Sequence, residues 1–191
     1  MIIGITGGSG CGKTTLLQII AEKGGLILDC DAIYHRLLQT DQTLLSTINN
    51  RFPGVVVQGT LDRKALGEIV FADEKALLDL NHITHAAVRA EVLRQLATNP
   101  PLAAIDAIGL FEGNLAPLCD ITAAVLAPEA ARIRRLMDRD GISESYARKR
   151  IAAQHTDSWF RERCDHALYN DGTPEAFREK CLAFLHSLGI M

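Results

Sequence analysis

The stretch that decides the fold is Met1-Ile-Ile-Gly-Ile-Thr-Gly-Gly-Ser-Gly-Cys-Gly-Lys-Thr-Thr15. Ile2, Ile3 and Ile5 make a short β-branched run, the profile of a buried strand. Gly7 to Thr14 spells G-x-x-x-x-G-K-T, and Leu16, Leu17, Ile19 and Ile20 follow at helical spacing. Strand, glycine-rich loop and helix in that order are the context a phosphate-binding loop requires. Gly7, Gly8, Gly10 and Gly12 open backbone conformations closed to other residues, so successive N–H groups can converge on a polyphosphate. The helix start adds unpaired N–H groups and the positive end of its dipole. Lys13 is placed to reach β- and γ-phosphates, and the Thr14 hydroxyl to hold Mg²⁺. The stretch predicts a nucleoside triphosphate site.

Downstream, Gly24-Gly25 stops the helix and Leu26-Ile27-Leu28 reads as a second buried strand, ending in Asp29-Cys30-Asp31. Ligands of open parallel sheets bind beyond the carboxyl ends of the strands, which makes this acidic pair a candidate for proton transfer or Mg²⁺ positioning. Asp31 lies one residue further out than Asp29 and is favoured as the base; capping of a helix starting near Ala32 is the competing use. Residues 32–100 read as helices, broken by the turn-rich segment Arg51–Gly59 with a short β-like centre. From Leu61 the apolar spacing gives two or three amphipathic helices with no strand between them, a helical insertion at about residues 60–98. On it His82, His85 and Arg89 form a polar line, readable as a solvated face or an anion site.

Leu102–Leu110 returns to a buried strand, with Phe111-Glu112-Gly113-Asn114 at its end. Glu112 is therefore a candidate acidic group near metal or substrate, or a cap of the next short helix. Cys119–Leu126 is the next strand, and Ala127-Pro128-Glu129 opens a helix. Arg132, Arg134, Arg135 and Arg139 precede Asp140-Gly141, and Arg148, Lys149 and Arg150 follow. Such a basic hairpin, at about residues 130–152, predicts a lid whose arginines clamp a transferring phosphoryl group. Arg135 and Arg139, four apart, share a helix face. His166–Tyr169 is a last short strand, Thr173-Pro174-Glu175 caps the final helix, and Trp159 and Phe160 belong to the core or the lid hinge.

Composition bounds the rest. The 191 residues suit one domain with small insertions, and 48% hydrophobic content excludes a disordered chain. A net charge of −3 and arginines without an aromatic platform speak against nucleic-acid binding. No apolar stretch has the length of a membrane span, and the start lacks the basic flank of a signal peptide. The cysteines at 11, 30, 119, 164 and 181 are scattered and contain no C-x-x-C pair, the usage of free thiols in a reducing cytoplasm.

Taken in order, these motifs resemble the dephospho-coenzyme A kinase family. The resemblance rests on Thr6-Gly-Gly-Ser-Gly-Cys-Gly-Lys-Thr14, Asp29-Cys-Asp31, Leu61-Asp62-Arg63 with Leu66 and Val70-Phe71, and Leu80-Asn-His-Ile-Thr-His85. Leu110-Phe-Glu112, the run Arg135 to Gly141, Gln154, Asp165 and Asn170-Asp-Gly172 continue it. Two departures are Ala86, where the family usually has Pro, and Ile108-Gly109 within the P-L-L-F-E strand end. The resemblance implies an α/β P-loop kinase fold: a parallel sheet flanked by helices, one domain with a helical acceptor-binding insertion and a helical lid. It implies transfer of the ATP γ-phosphoryl to the ribose 3′-hydroxyl of dephospho-CoA, with Mg²⁺. Gly10, Cys11, Gly12, Lys13, Thr14, Thr15, Arg135 and Asn170 would bind ATP, Thr14 would hold the metal, and Lys13, Asp31 and Arg139 would be catalytic. Asp31, Arg63, His85, Arg89 and Glu112 would face the acceptor. A cytoplasmic enzyme with a small-molecule substrate, monomeric or a weak homo-oligomer, without nucleic-acid or membrane partners, is the expectation. Another small-molecule or nucleoside-monophosphate kinase is the alternative.

Overall fold

In the computed structural model, which describes residues 1–190, the order of elements is β1 (Ile2–Thr6), α1 (Lys13–Glu22), β2 (Leu26–Asp29), α2 (Cys30–Thr40) and α3 (Gln42–Arg51). A two-strand hairpin, β3 (Val56–Val57) and β4 (Thr60–Leu61), leads to α4 (Arg63–Val70) and α5 (Glu74–Leu96). Then come β5 (Ala103–Asp106), β6 (Ile121–Leu126), α6 (Glu129–Asp140), α7 (Glu144–Ala152), α8 (Asp157–Arg163), β7 (His166–Tyr169) and α9 (Pro174–Ser187). The main sheet has the order β2-β5-β1-β6-β7, with β1 parallel to both neighbours and β6 parallel to β7. No helix among the described residues is long and apolar enough to cross a membrane.

The chain forms two compact units: Met1–Leu28 with Pro100–Leu110 and Leu115–Met191, and Asp29–Asn99 with Phe111–Asn114. In the first unit, strand alternation decides which side chain meets which helix layer. Ile3, Ile5, Ala123 and Val125 pack with Leu16, Ile19, Ile20, Phe177 and Leu185, the buried stripes of α1 and α9. The intervening Ala124 and Leu126 of β6 pack with Phe160 of α8, so this aromatic is core, with Trp159 against it. At the start of β6, Thr122 and Asp165 close a tight exchange: Asp165 Oδ2 accepts from Thr122 N–H at 2.8 Å and from its hydroxyl at 2.7 Å. That pairing holds the Asp165 carboxyl below its usual pKa range.

β5 ends earlier than its apolar run predicts. Ile5 of β1 pairs with Asp106, and β1 turns into the glycine-rich loop after Thr6, so the ladder has no partner to continue on. Residues 107–114 are turns instead, anchored where Thr6 Oγ1 donates to Ile108 O at 3.1 Å.

The second unit is helical and includes α2 and α3 as well as the segment 60–98. Its organising element is α5, which packs against α2, α3 and α4. The buried residues of α5, Ala76, Leu80, Thr84, Val88 and Val92, advance four at a time. At 3.6 residues per turn such a stripe precesses by roughly 40° per step, so successive parts of one helix face different neighbours. Arg36 of α2 reaches Glu91 of α5 at 2.7 Å, and Arg51 of α3 reaches Asp79 of α5 at 2.7 Å. α5 also runs unbroken through His85-Ala86. Ala86 keeps the N–H and the helical geometry that a proline at this position would remove. The β3–β4 hairpin turns on Gln58 and Gly59 with φ of 50° and 74°, the two-residue loop whose positive φ values match strand twist.

Candidate active site

The loop from Gly7 to Gly12 carries the chain from β1 into α1. Gly7, Gly10 and Gly12 have φ of 132°, 78° and 100°, conformations that side chains resist. Gly12 is constrained twice, since a Cβ there would lie 2.3 Å from Asn170 Nδ2.

Every carbonyl of this loop is bonded to a protein donor. Lys13 Nζ donates to Gly7 O at 3.1 Å, Cys11 N–H to Gly8 O at 3.2 Å, and Arg132 Nε to Ser9 O at 3.0 Å. Arg135 Nη1 donates to Gly10 O at 3.1 Å and Cys11 O at 3.2 Å, and Asn170 Nδ2 to Cys11 O at 2.9 Å. Thr15 N–H closes on Gly12 O at 3.2 Å. Among the described residues, no protein acceptor takes the N–H of Gly10, Gly12 or Thr14, while that of Lys13 points at the Cys11 sulfur. Acceptors all engaged and donors left over make an anion site, and the start of α1 adds its dipole. A polyphosphate fits that donor set.

Lys13 Nζ also lies 3.7 Å from Asp106 Oδ1, with both side chains mostly covered, at 14% and 18% exposure. Asp106 ends β5 beside the loop-bearing strand. It is absent from the sequence-predicted set, because reading the strand through to Leu110 gave Glu112 the strand-end role. The signal was there: Ala103-Ala-Ile-Asp106 is an apolar strand ending in an acid, the pattern that supplies a Mg²⁺ ligand in phosphate-loop enzymes.

Other predicted residues take up specific places. Thr14 is exposed in the first turn of α1. The Cys11 side chain sits in the core beside Ile3 and Leu16, so only its backbone belongs to the loop, and burial pushes its thiol pKa up against the pull of Lys13. Arg135 and Asn170 grip the outside of the loop through Gly10 and Cys11. Arg139, on the same helix as Arg135, is instead bidentate to Asp140 at 2.7 and 3.0 Å, and Arg150 adds a 2.7 Å bond. Arg139 first and Arg150 second hold the Asp140 carboxyl down at about 2.

In the helical unit, Asp29 and Asp31 separate by role. Asp29 is the N-cap of α2, its Oδ1 accepting from Ala32 N–H at 2.9 Å, whereas Asp31 lies exposed in the first turn. Capping claims one aspartate and leaves the other exposed. Arg63 opens α4 and lines a cleft of about 440 Å³ with Leu38, Gln39, Thr60 and Leu61. Tyr34 lies close enough to Arg63 for that charge to oppose the rise in its phenol pKa caused by burial. His85 and Arg89 are half-buried and four apart on α5. Arg89 Nε donates to Asn114 O at 3.1 Å, tying to α5 the turn that carries Glu112.

Known proteins place this arrangement. The family model for dephospho-CoA kinase matches residues 1–175. The dephospho-CoA kinase of Anaeromyxobacter dehalogenans is 37% identical over 193 residues, covering 98% of this chain and 92% of that protein. A solved Thermus thermophilus protein superposes with a TM-score of 0.84 at 32% identity, covering 98% of this chain and 97% of its own. The dephospho-CoA kinase of Campylobacter jejuni gives 0.68 at 26% identity, covering 100% and 98%. With the model matched along most of its length and full-length relatives sharing a third of its residues, this chain belongs to the dephospho-CoA kinase family.

Proposed function

We propose that the residues described divide the phosphorylation of dephospho-CoA by ATP between a nucleotide set and an acceptor set. The reaction gives coenzyme A and ADP. The observation that carries this reading is the loop whose carbonyls all accept from protein donors while the N–H groups of Gly10, Gly12 and Thr14 remain for phosphate. Lys13 serves the transferring γ-phosphoryl with its charge, and Asp106 beside it keeps the ammonium oriented. The Thr14 hydroxyl and the Asp106 carboxylate are hard oxygen donors suited to Mg²⁺, which supplies charge neutralisation at the β- and γ-phosphates when bound.

Asp31 accepts the proton of the ribose 3′-hydroxyl as that oxygen bonds to the γ-phosphorus and the bond to the ADP oxygen breaks. Arg63 serves the acceptor's diphosphate as a guanidinium does, with a planar fork of donors. His85, Arg89 and Glu112 complete the acceptor face. Arg139 acts from the α6–α7 hairpin, exchanging Asp140 for the transferring phosphoryl group. The hairpin is the lid, and the acceptor unit is the helical insertion. A monomer or weak homo-oligomer is the expected working form.

The test is ADP release with ATP and Mg²⁺, offering dephospho-CoA beside AMP, CMP, shikimate and uridine. Release with dephospho-CoA alone, and a product with the mass of coenzyme A, is the expected result. Release with another acceptor would retain the nucleotide set and overturn the acceptor assignment.

A further inference from the structure

The apex of the phosphate loop is held by two side chains that the phosphate-binding motif does not contain. Ser9 N–H donates to Gln154 Oε1 at 2.8 Å, Gln154 Nε2 donates to Ser9 Oγ at 2.7 Å, and Arg132 Nε donates to Ser9 O at 3.0 Å. Backbone donor, backbone acceptor and hydroxyl of one residue are thus all engaged. Arg132 Nη2 donates to the same Gln154 Oε1 at 3.2 Å, and Nη1 to Asp157 Oδ1 at 3.2 Å. Two obligate donors on Oε1 fix which way the Gln154 amide is turned. Arg132 is only 4% exposed and Ser9 8%. The packing leaves no slack, because a Cβ on Gly8 would lie 2.0 Å from Arg132 Nη2, and one on Gly10 2.7 Å from Arg132 O.

These two side chains stand at the two feet of the α6–α7 hairpin. Arg132 is near the start of α6, and Gln154 follows the end of α7 by two residues. Ile133, Leu136 and Ala147 pack the two helices on each other, with Ile142 and Ile151 against them, so the hairpin moves as one piece. Displacing it must pull on Ser9 or break buried hydrogen bonds, whose loss leaves desolvated polar groups unpaired.

We propose that Arg132 and Gln154 are positioning residues that couple the hairpin to the nucleotide site: the loop keeps its phosphate-binding shape while both feet of the hairpin hold Ser9. The inference rests on the reading of Gly7–Thr15 as the ATP loop. Occupancy of the loop then steadies the hairpin, and by reciprocity hairpin position sets affinity for the nucleotide.

The test uses the whole protein and needs no acceptor. Binding of a non-hydrolysable ATP analogue is measured by calorimetry for wild type, Ser9→Ala, Gln154→Leu and the double variant, with hydrogen exchange followed in residues 129–152. The expected outcome is analogue affinity weakened on the order of tenfold by Gln154→Leu and severalfold by Ser9→Ala, as fits one or two buried hydrogen bonds. The double variant should be no weaker than Gln154→Leu, since both remove parts of one connection. The analogue should slow exchange in the hairpin of the wild type and do so less in Gln154→Leu. Ser9→Ala, which removes only one hydroxyl, keeps the test open if Gln154→Leu fails to fold. Additive losses, or hairpin protection equal in all folded variants, would overturn the coupling. If even the wild type fails to bind the analogue, the nucleotide reading falls with it; if it binds but dephospho-CoA is not phosphorylated, only the acceptor reading falls.

Discussion

The phosphate loop and the helical unit handle their polar groups in opposite ways. In the loop every carbonyl is bonded, those of Ser9, Gly10 and Cys11 by side chains from distant parts of the sequence, so its geometry is built before any ligand arrives. In the helical unit the candidate groups stand at element ends and on one helix face: Asp31 and Arg63 are exposed, and the caps Asp29 and Asp62 do the structural holding. Prepaid order suits a site that must present a fixed donor array to a charged group whose chemistry is mostly positioning. Exposed charges on short helices suit recognition of a long flexible acceptor. Substitutions in the first set should change ATP kinetics and turnover, and those in the second should change the acceptor's KM or proton transfer.

The largest effect is expected at Lys13. Lys13→Ala should lower kcat by on the order of 10³-fold or more, since it removes the positive charge offered to the transferring group. Steady-state ADP release checks this, and near-normal turnover would break the nucleotide half of the comparison. Asp31→Asn comes next, with turnover reduced roughly 10²-fold or more and ATP-analogue affinity unchanged. Calorimetry beside kinetics separates those effects; turnover equal to wild type would remove Asp31 as the base.

Arg63→Ala should raise KM for dephospho-CoA by roughly tenfold, the scale of a lost charge-assisted hydrogen bond, with KM for ATP unmoved. Equal changes in both constants would blur the division between the two sets.

The smallest effect concerns stability of the helical unit. Arg94 first, with Gln95 and Arg36, holds the Glu91 carboxyl down at about 2 from its ordinary 4.5. A depressed carboxylate contributes stability that is present above pH 4.5 and lost as pH falls toward 2. The thermal midpoint of wild type should therefore exceed that of Glu91→Gln at pH 6, and the gap should narrow as the pH is lowered from 4.5 toward 2. A gap independent of pH would show that charge at Glu91 does not stabilise the unit.

Some of this was legible from local pattern. A strand, loop and helix meet within fifteen residues at the start of the chain, so Gly7 to Thr15 could be read without knowing what packs around them. Asp106 was missed although its strand was recognised, because apolar residues continue to Leu110 while the ladder does not. Where β5 ends is set by the register with β1 and by β1 turning into the loop, and neither is visible in the composition of residues 102–110. Asp29 and Asp31 have the same chemistry in sequence; cap geometry at the start of α2 told them apart. The arginines of α6 read as members of one lid, with Arg135 and Arg139 on one face, yet Arg132 and Arg135 bond to the loop and Arg139 to its neighbour Asp140.

The sequence by itself determined what depends on near neighbours: the phosphate-loop motif, the β–α alternation, the long helical segment, and the ordered motifs that carry the family resemblance. Tertiary structure decided what depends on residues far apart in the chain. Ser9 is 123 residues from Arg132 and 145 from Gln154, and Cys11 is 159 from Asn170. The physical reason is that a backbone carbonyl or N–H carries no residue identity, so nothing in a glycine-rich loop announces which side chain will satisfy it. Only folding brings the donors to the loop and settles which of its groups are left for phosphate.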